Sequence, residues 1–348
     1  MSGKRFLVLG CGQGWHASQL RSAADRLGCE LHGSDYESLF ASIQSNSIQS
    51  NSIQSNSIPL TSAPHLNAVD LGADGFTAAA ISIDRYDAVL ARTMPAGSLE
   101  KITFRLSILH ALAGDTIANH RPVTVINSPR GLEIAIDKFA TLAHVRRLGY
   151  LVPETIVVQS RNEAMAAFER LGGDCVVKPL FGGEGRGVMR IQDPQLAWYT
   201  FSTLDQLDAV FYVQAFVHPG GRDTRLLVIG DHVIAARREN PSDFRTNHSH
   251  GATTTQIQPS SEQITMAKQI TSTMGLTFAS VDLVDCDDDA PRVLEVNAVP
   301  GWKGLQQVCT ENIATLVIQT LIDACKSVPI NSSIRNTSPK PAPHEATS

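Results

Sequence analysis

Near the C-terminal end of the chain, Arg292-Val293-Leu294-Glu295-Val296-Asn297 sets a carboxylate and an amide two residues apart in an apolar run. Alternate side chains of a strand share a face, so Glu295 and Asn297 point the same way. Val281-Asp282-Leu283 offers a second carboxylate from another apolar segment. Carboxylates are rarely buried without partners, because an unpaired buried charge is costly. Asp282, Glu295 and Asn297 form an oxygen-only donor set, which selects Mg²⁺ or Mn²⁺, and Mg²⁺ usually completes its shell with waters and phosphates. Taken alone, the triplet reads more simply as an ion-pair network with Arg292.

A second group changes that balance. Phe181-Gly182-Gly183-Glu184-Gly185-Arg186-Gly187 directly follows a segment, Val176-Val177-Lys178, that carries a lysine. Such a loop lets backbone N–H groups approach an anion without side-chain obstruction. It lacks the G-x-x-x-x-G-K-[ST] spacing of a P-loop. Lys178 and the upstream Lys138 would add fixed positive charge. A glycine hairpin between two strands is the plainer alternative for the loop.

These residues need a scaffold. Phe6–Gly10, a helix over 15–27 and a strand over Glu30–His32 make a βαβ opening. Glycines at 10, 12 and 14 lack the third position of a dinucleotide fingerprint, so a tight turn on a Rossmann-like domain is expected rather than NAD binding. Strands are expected over 86–91, 123–126 and 155–158, with helices over 98–112 and 137–148. Ser128-Pro129 opens a helix, and Ser160-Arg161-Asn162-Glu163 and Ser260–Gln263 read as capping boxes. The second half predicts strands at 176–180, 188–191, 210–217, 224–229, 232–237, 278–284 and 292–297. Helices close it over 260–274 and 312–324. The stretch 42–58 repeats Ser-Ile-Gln-Ser-Asn three times and begins a fourth copy, too polar to bury itself, so a surface loop is expected. The tail from Val328 reads as disordered.

The chain has 348 residues, with 29 Lys+Arg against 34 Asp+Glu. That weakly acidic balance argues against a partner bound by broad phosphate neutralisation, so no nucleic acid is expected. No apolar run reaches the roughly 20 residues of a membrane helix, and the start is too short for a secretory signal. Six scattered cysteines read as free thiols of a reducing compartment, so a cytoplasmic, non-membrane protein is expected. His218, His248 and His250 read as solvated or substrate-near. Trp302 and Lys303 read as packing or pocket-closing residues.

Asp137-Lys138-Phe139, Val176-Val177-Lys178, the glycine loop, Tyr212-Val213-Gln214-Ala215-Phe216-Val217, Arg222-Asp223-Thr224-Arg225, Asp243-Phe244-Arg245-Thr246-Asn247 and Leu294-Glu295-Val296-Asn297-Ala298-Val299-Pro300-Gly301 occur in that order. In this the chain resembles the ATP-grasp superfamily, and within it the RimK-type α-L-glutamate ligases, from Asn127 to about Ala324. Gly14-Trp15-His16, Gly97–Lys101 and Arg105–His110 resemble a bacterial subgroup linked to tetrahydromethanopterin one-carbon metabolism. The resemblance implies an α/β (α+β ATP-grasp) fold. Residues 1–127 would be a Rossmann-like domain with the 42–58 insert, 128–206 a lid subdomain, 207–327 a metal-binding subdomain and 328–348 a tail.

The resemblance further implies roles. Lys138 and Lys178 would contact ATP phosphates, and Gly182, Gly183, Gly185 and Gly187 would form a mobile loop over them. Gln214, Ala215 and Val217 would line the adenine slot, mainly by backbone; the family often has Glu where Ala215 stands. Asp282, Glu295 and Asn297 would hold two Mg²⁺ or Mn²⁺ ions. Arg225 would sit near the transferred phosphate, and Arg238, Arg245 and Asn247 near substrate carboxylates. Val299 departs from the family's usual Ser or Thr. The implied reaction is ATP-dependent, ADP-forming amide synthesis through an acyl phosphate, adding L-glutamate to a tetrahydromethanopterin-type pterin. Alternatives are a protein C-terminus or another small carboxylate as acceptor, a non-catalytic ATP-binding regulator, and a nicotinamide oxidoreductase. A homo-oligomer is compatible with the sequence. Deleting Ser45–Ile53 should leave turnover near wild type, checked by steady-state rates and a melting curve; loss of folding would make the repeat structural.

Overall fold

The computed structural model describes residues 3–10, 13–42, 65–69, 80–82, 86–113, 123–247, 251–287 and 290–326. The Ser-Ile-Gln-Ser-Asn repeat apart from Ser42, Cys11 and Gly12 of the glycine turn, His248, His250 and the tail from Val328 lie outside the described residues. Strand β1 (Arg5–Leu9) leads through α1 (Trp15–Arg26) to β2 (Glu30–Ser34). A small antiparallel sheet follows, from β3 (Phe40–Ser42), β4 (His65–Val69) and β5 (Ala80–Ser82). Then come β6 (Ala88–Ala91), α2 (Leu99–Ala113) and β7 (Thr124–Ile126), which complete a parallel sheet in the order β2-β1-β6-β7. A parallel sheet is covered on both faces, which is why 6–9 and 88–91 are unbroken apolar runs. Leu7, Leu9, Val89 and Ala91 pack with Leu106 and Leu109 of α2. Phe6, Val8, Ala88 and Leu90 pack on the opposite side.

Two capped helices follow, α3 (Pro129–Ile136) and α4 (Lys138–Arg147). The Ser128 hydroxyl accepts from the Gly131 N–H, and the Asp137 carboxylate accepts from the N–H groups of Phe139 and Ala140. Lys138 is therefore fixed as the first residue of its helix. Next come β8 (Thr155–Val158), α5 (Arg161–Arg170), β9 (Cys175–Lys178), β10 (Met189–Ile191), α6 (Pro194–Gln206) and β11 (Phe211–Ala215). The strands form an antiparallel sheet, β10-β9-β11-β8. Cys175, Val177, Phe211 and Val213 turn to α5 and α6, where Phe168 and Phe201 fill the core. Alternation sends Val176, Lys178, Tyr212 and Gln214 to the other face.

The last sheet has five strands in the order β14-β13-β12-β15-β16: β12 (Arg222–Ile229), β13 (His232–Glu239), β14 (Thr253–Ile257), β15 (Phe278–Val284) and β16 (Arg292–Asn297). Helix α7 (Ser261–Thr273) precedes β15, and α8 (Lys303–Gln306) and α9 (Ile313–Lys326) follow β16. Leu226, Val228, Val281, Leu283, Val293 and Val296 join the core that contains Ile270 of α7. Leu227, Ile229, Phe278 and Trp302 join the core that contains Val317 and Leu321 of α9. Among the described residues, no helix is long and apolar enough to cross a membrane.

The structure corrects several expectations. Helix α6 lies where the sequence pattern predicts no element; its aromatic and β-branched residues obscure a helix that Asp193 caps and Pro194 opens. The edge strand β14, Thr-Thr-Thr-Gln-Ile, lacks apolar alternation and is set by pairing to β13. Ser160 does cap α5, but Glu163 accepts from the Ser160 hydroxyl rather than from its backbone, so the reciprocal box forms only at Ser260–Gln263. The expected boundary at 206/207 cuts through a sheet, because β11 pairs with β8 and β9.

Asn127 joins the first sheet to the last. Its side chain is fully buried and makes all four hydrogen bonds an amide allows. Nδ2 donates to the carbonyls of Phe278 and Ala298, both at 2.7 Å, and Oδ1 accepts from the N–H groups of Thr277 and Phe278 at 2.7 and 2.8 Å. Asn127→Ala strands four backbone groups and should cost about 2–4 kcal/mol, read as a shifted denaturant midpoint. Asn127→Asp, which faces two carbonyls with an acceptor, should be no better tolerated.

Candidate active site

The register of the last sheet sets the site. Arg225 on β12 pairs with Asp282 on β15, which pairs with Glu295 on β16, so all three stand in one row on one face. Ser280 pairs with Asn297 one step along. A β-bulge between Asp282 and Leu283 leaves Leu294 as the extra residue on β16. The strand therefore gives Val293 and Val296 to the core while Leu294 and Glu295 both border the pocket.

The two carboxylates have unequal partners. Asp282 accepts from Arg225 Nε at 2.8 Å and Nη2 at 2.6 Å, and from Arg238 Nη2 at 2.8 Å. Burial opposes its charge, but the two guanidinium groups outweigh that and hold its carboxyl well below the usual range. Glu295 has no hydrogen bond or ion pair among the described residues. Burial, and then the neighbouring Asp282 charge, push its pKa up, against the pull of Arg225, Lys178 and Lys138. The partners of Asp282 are thus Arg225 and Arg238, not the Arg292 expected for a purely structural network. Asn297 Oδ1 accepts from the Val299 N–H at 2.9 Å, which spends one of its two lone pairs and orients the amide.

This donor set fits a hard divalent cation. Glu295 is an unneutralised carboxylate, Asn297 presents an oriented oxygen, and the hydroxyl of Ser280 beside it is buried without a partner among the described residues. An ion would supply the positive charge that Glu295 lacks.

Opposite this row stands the other antiparallel sheet. Lys178, Gln214, Val176, Ala215, Phe216 and Val217 border the same pocket, as do Lys138, Gly182, Gly183 and Gly185. Gly187 has a left-handed φ of 70° and packs on Pro179. The Lys138 ammonium donates to the Gly182 carbonyl at 2.7 Å, tying α4 to the loop. Burial lowers its pKa, with Glu295 and Asp137 opposing. The Lys178 ammonium donates to Gln214 Oε1 at 2.6 Å, and Gln214 Nε2 donates to the hydroxyls of Thr155 and Tyr212. The Gln214 side chain is therefore spent on the lysine rather than facing a ligand. The Ala215 N–H donates to the Glu154 carbonyl at 2.8 Å.

The third wall comes from Asp223, Arg238, Phe244, Arg245, Thr246 and Asn247. Arg238 is 7 % exposed and bridges Asp223 and Asp282, with its Nη1 unbonded among the described residues. Arg237, the neighbouring residue on β13, faces away and pairs with Asp285. Arg225 donates its remaining Nη1 to the Gly301 carbonyl at 3.4 Å. Arg245 forks onto Asp243. His218 pairs with Asp174 at 3.3 Å, outside this pocket. Sequence reasoning missed Asp223 as the buried anchor of Arg238 and Thr246. The signal was an acidic residue two positions before Arg225, on the same strand face.

Lys178 has a pKa lowered to about 8, by burial first, with Glu295 raising it and Lys138 lowering it further. Its acylation by a small amine reagent, followed on its peptide by mass spectrometry, should half-rise near pH 8. Gln214→Glu, which puts a negative charge on the ammonium, should move that midpoint upward.

Comparison with known proteins gives the family. The model of the RimK-like ATP-grasp domain matches residues 135–321. A tetrahydromethanopterin:α-L-glutamate ligase of Methanosarcina acetivorans is 29% identical over 275 residues, 71% of this chain and 83% of that protein. The ligase of the same name from Methanocaldococcus jannaschii is 32% identical over 231 residues, 64% of this chain and 76% of that protein. Among solved structures, the ATP-grasp ligase PsnB complexed with minimal precursor, Mg and ADP has a TM-score of 0.63 at 21% identity, covering 92% of this chain and 97% of that one. The macrocyclase MdnC of Microcystis aeruginosa, bound with its precursor peptide, has a TM-score of 0.64 at 14% identity, covering 92% and 100%. These two share the fold. With the Asp282–Glu295 row facing two lysines and a glycine loop, the chain belongs to the RimK-like ATP-grasp family of ATP-dependent, ADP-forming ligases.

Proposed function

We propose that this ligase adds L-glutamate to a tetrahydromethanopterin-type pterin in the cytoplasm, using ATP and two divalent ions. The names of its relatives support the substrates. The observation that carries the site assignment is the unpaired Glu295 carboxylate beside Asp282, in a pocket bordered by Lys138, Lys178 and the glycine loop. The division of labour proposed for the chain runs from a parallel N-terminal part, through a lid, to a metal-binding part, with the second boundary moved past β11.

A carboxylate is a poor nucleophile toward ATP, and a poor electrophile toward an amine. Bound Mg²⁺ supplies charge neutralisation at the phosphates, a contribution of several kcal/mol in such reactions. Glu295, Asp282 and Asn297 would hold it, with Arg225 and Arg238 keeping Asp282 ionised. Lys138 and Lys178 add positive charge at the phosphates, and Gly182, Gly183, Gly185 and Gly187 offer unobstructed backbone N–H groups above them. The adenine contact falls to the backbone at Ala215 and Val217, since the Gln214 side chain is engaged elsewhere. The acceptor carboxylate oxygen attacks the γ-phosphorus and ADP leaves. The glutamate amine then attacks the acyl carbon, loses its proton to solvent, and inorganic phosphate departs. Arg225, Arg238, Arg245 and Asn247 orient the carboxylates and stabilise the tetrahedral intermediate. The loop excludes water, which would otherwise hydrolyse the acyl phosphate.

Incubation with ATP, Mg²⁺, glutamate and a panel of pterin, peptide and amino-acid acceptors should yield an added glutamyl mass on the pterin alone. Continuous ADP formation over many turnovers should require both the pterin and glutamate. Glu295→Gln should abolish turnover while leaving the melting temperature within a few degrees of wild type. Undiminished ADP formation by that variant would refute the metal role.

A further inference from the structure

The turn that follows β16, Ala298–Trp302, is held at four backbone groups by side chains from elsewhere. Asn127 Nδ2 donates to the Ala298 carbonyl at 2.7 Å, and Arg92 Nη1 to the Val299 carbonyl at 3.1 Å. Arg225 Nη1 donates to the Gly301 carbonyl at 3.4 Å, and the Trp302 N–H donates to His16 Nε2 at 3.3 Å. Three of these four holders belong to the N-terminal part. Asn127 follows β7, Arg92 follows β6, and His16 lies in the first turn of α1 beyond β1. All three strands run parallel, so their carboxyl ends converge on one turn of the other sheet.

The centre of this contact is buried, at Arg92, Ala298 and Trp302. Arg92 is 4 % exposed and stacks its guanidinium over the Trp302 ring, 4.6 Å from the centroid. His16 meets the same ring edge-on at 4.4 Å. Accepting at Nε2 requires a neutral imidazole, and burial, then Arg92 and Lys303, lower the His16 pKa to about 4. The held turn contains Val299, whose N–H fixes Asn297 Oδ1. An amide torsion is broad and two-fold, and its wrong face presents an NH₂ donor to a cation. Whatever sets the Val299 N–H therefore sets which atom Asn297 offers.

We propose that Arg92 and His16 are positioning residues for Asn297: Asn127 holds the Ala298 carbonyl of the peptide unit that carries the Val299 N–H, and Arg92 and His16 lock the turn on its far side, so that together they orient the amide oxygen. This rests on the reading of Asn297 as a metal ligand. It assigns part of the N-terminal sheet to the metal site, across a contact between two sheets, as outer partners orient the ligands of other metal centres.

The test is Mn²⁺ titration of the full-length protein with a non-hydrolysable ATP analogue, with free Mn²⁺ read by electron paramagnetic resonance. Asn297→Ala, Arg92→Met and their double variant form a cycle. Asn297→Ala and Arg92→Met should each weaken Mn²⁺ about tenfold or more, and the double variant should be no weaker than Asn297→Ala alone. His16→Gln, which keeps an acceptor, should retain affinity that His16→Leu loses. Arg92→Lys, the milder change, should fall between wild type and Arg92→Met, and serves if Arg92→Met does not fold. Arg92 and His16 variants with wild-type affinity, beside a weakened Asn297→Ala, would overturn the positioning role alone. Additive losses in the double variant would also overturn it, as general loosening. An Asn297→Ala protein with unchanged affinity would instead overturn the reading on which the inference rests.

Discussion

Two carboxylates side by side across a pair of strands, one fully buried and its neighbour half-buried at a pocket wall, both keep their charge only with cations nearby. Asp282 and Glu295 occupy such a position, and the protein neutralises only one of them. Arg225 and Arg238 neutralise Asp282, and Asp223 in turn holds Arg238 in place. Glu295 is left with cations that act on it through space, from Lys138, Lys178 and Arg225. Neutralising it fully takes a charge from outside the chain. Much of the architecture follows, because β12, β15 and β16 must run in one register for these groups to form a row. The facing sheet must bring Lys178, and helix α4 must bring Lys138, within range without making contact.

Helix ends and hairpins serve the same purpose. Asp137 caps α4 and fixes Lys138 at the helix start, so that its ammonium reaches the carbonyl of Gly182. Lys178 is the last residue of β9, aimed at the pocket by strand alternation and steadied by Gln214. Gln214 is itself steadied by Thr155 and Tyr212. Each cation thus reaches the site on a short, supported arm.

The parts of this site governed by local rules were legible in the sequence. The shared direction of Glu295 and Asn297 follows from a two-residue period, and the caps at Ser128 and Ser260 from hydroxyls placed before a helix. What depends on register between distant strands was not. Nothing near Asp282 in sequence reveals that Arg225 and Arg238 will flank it, 57 and 44 residues away. Arg92 follows an apolar strand, and only the packing of one sheet on another brings it to Trp302. Helix α6 and strand β14 went unread because side-chain type contradicted the element, and tertiary pairing decided.

The bulge on β16 has a consequence for the shape of what the pocket accepts. A regular strand offers one face every second residue, so an oily wall and an ionic wall would stand about 7 Å apart along it. Leu294 and Glu295 are adjacent in the chain and both border the cavity. The switch from a surface that favours a flat apolar ring to one that favours a charged chain is therefore made within a single residue step. One strand thus sets an apolar side chain and an ionic one next to each other along the cavity wall.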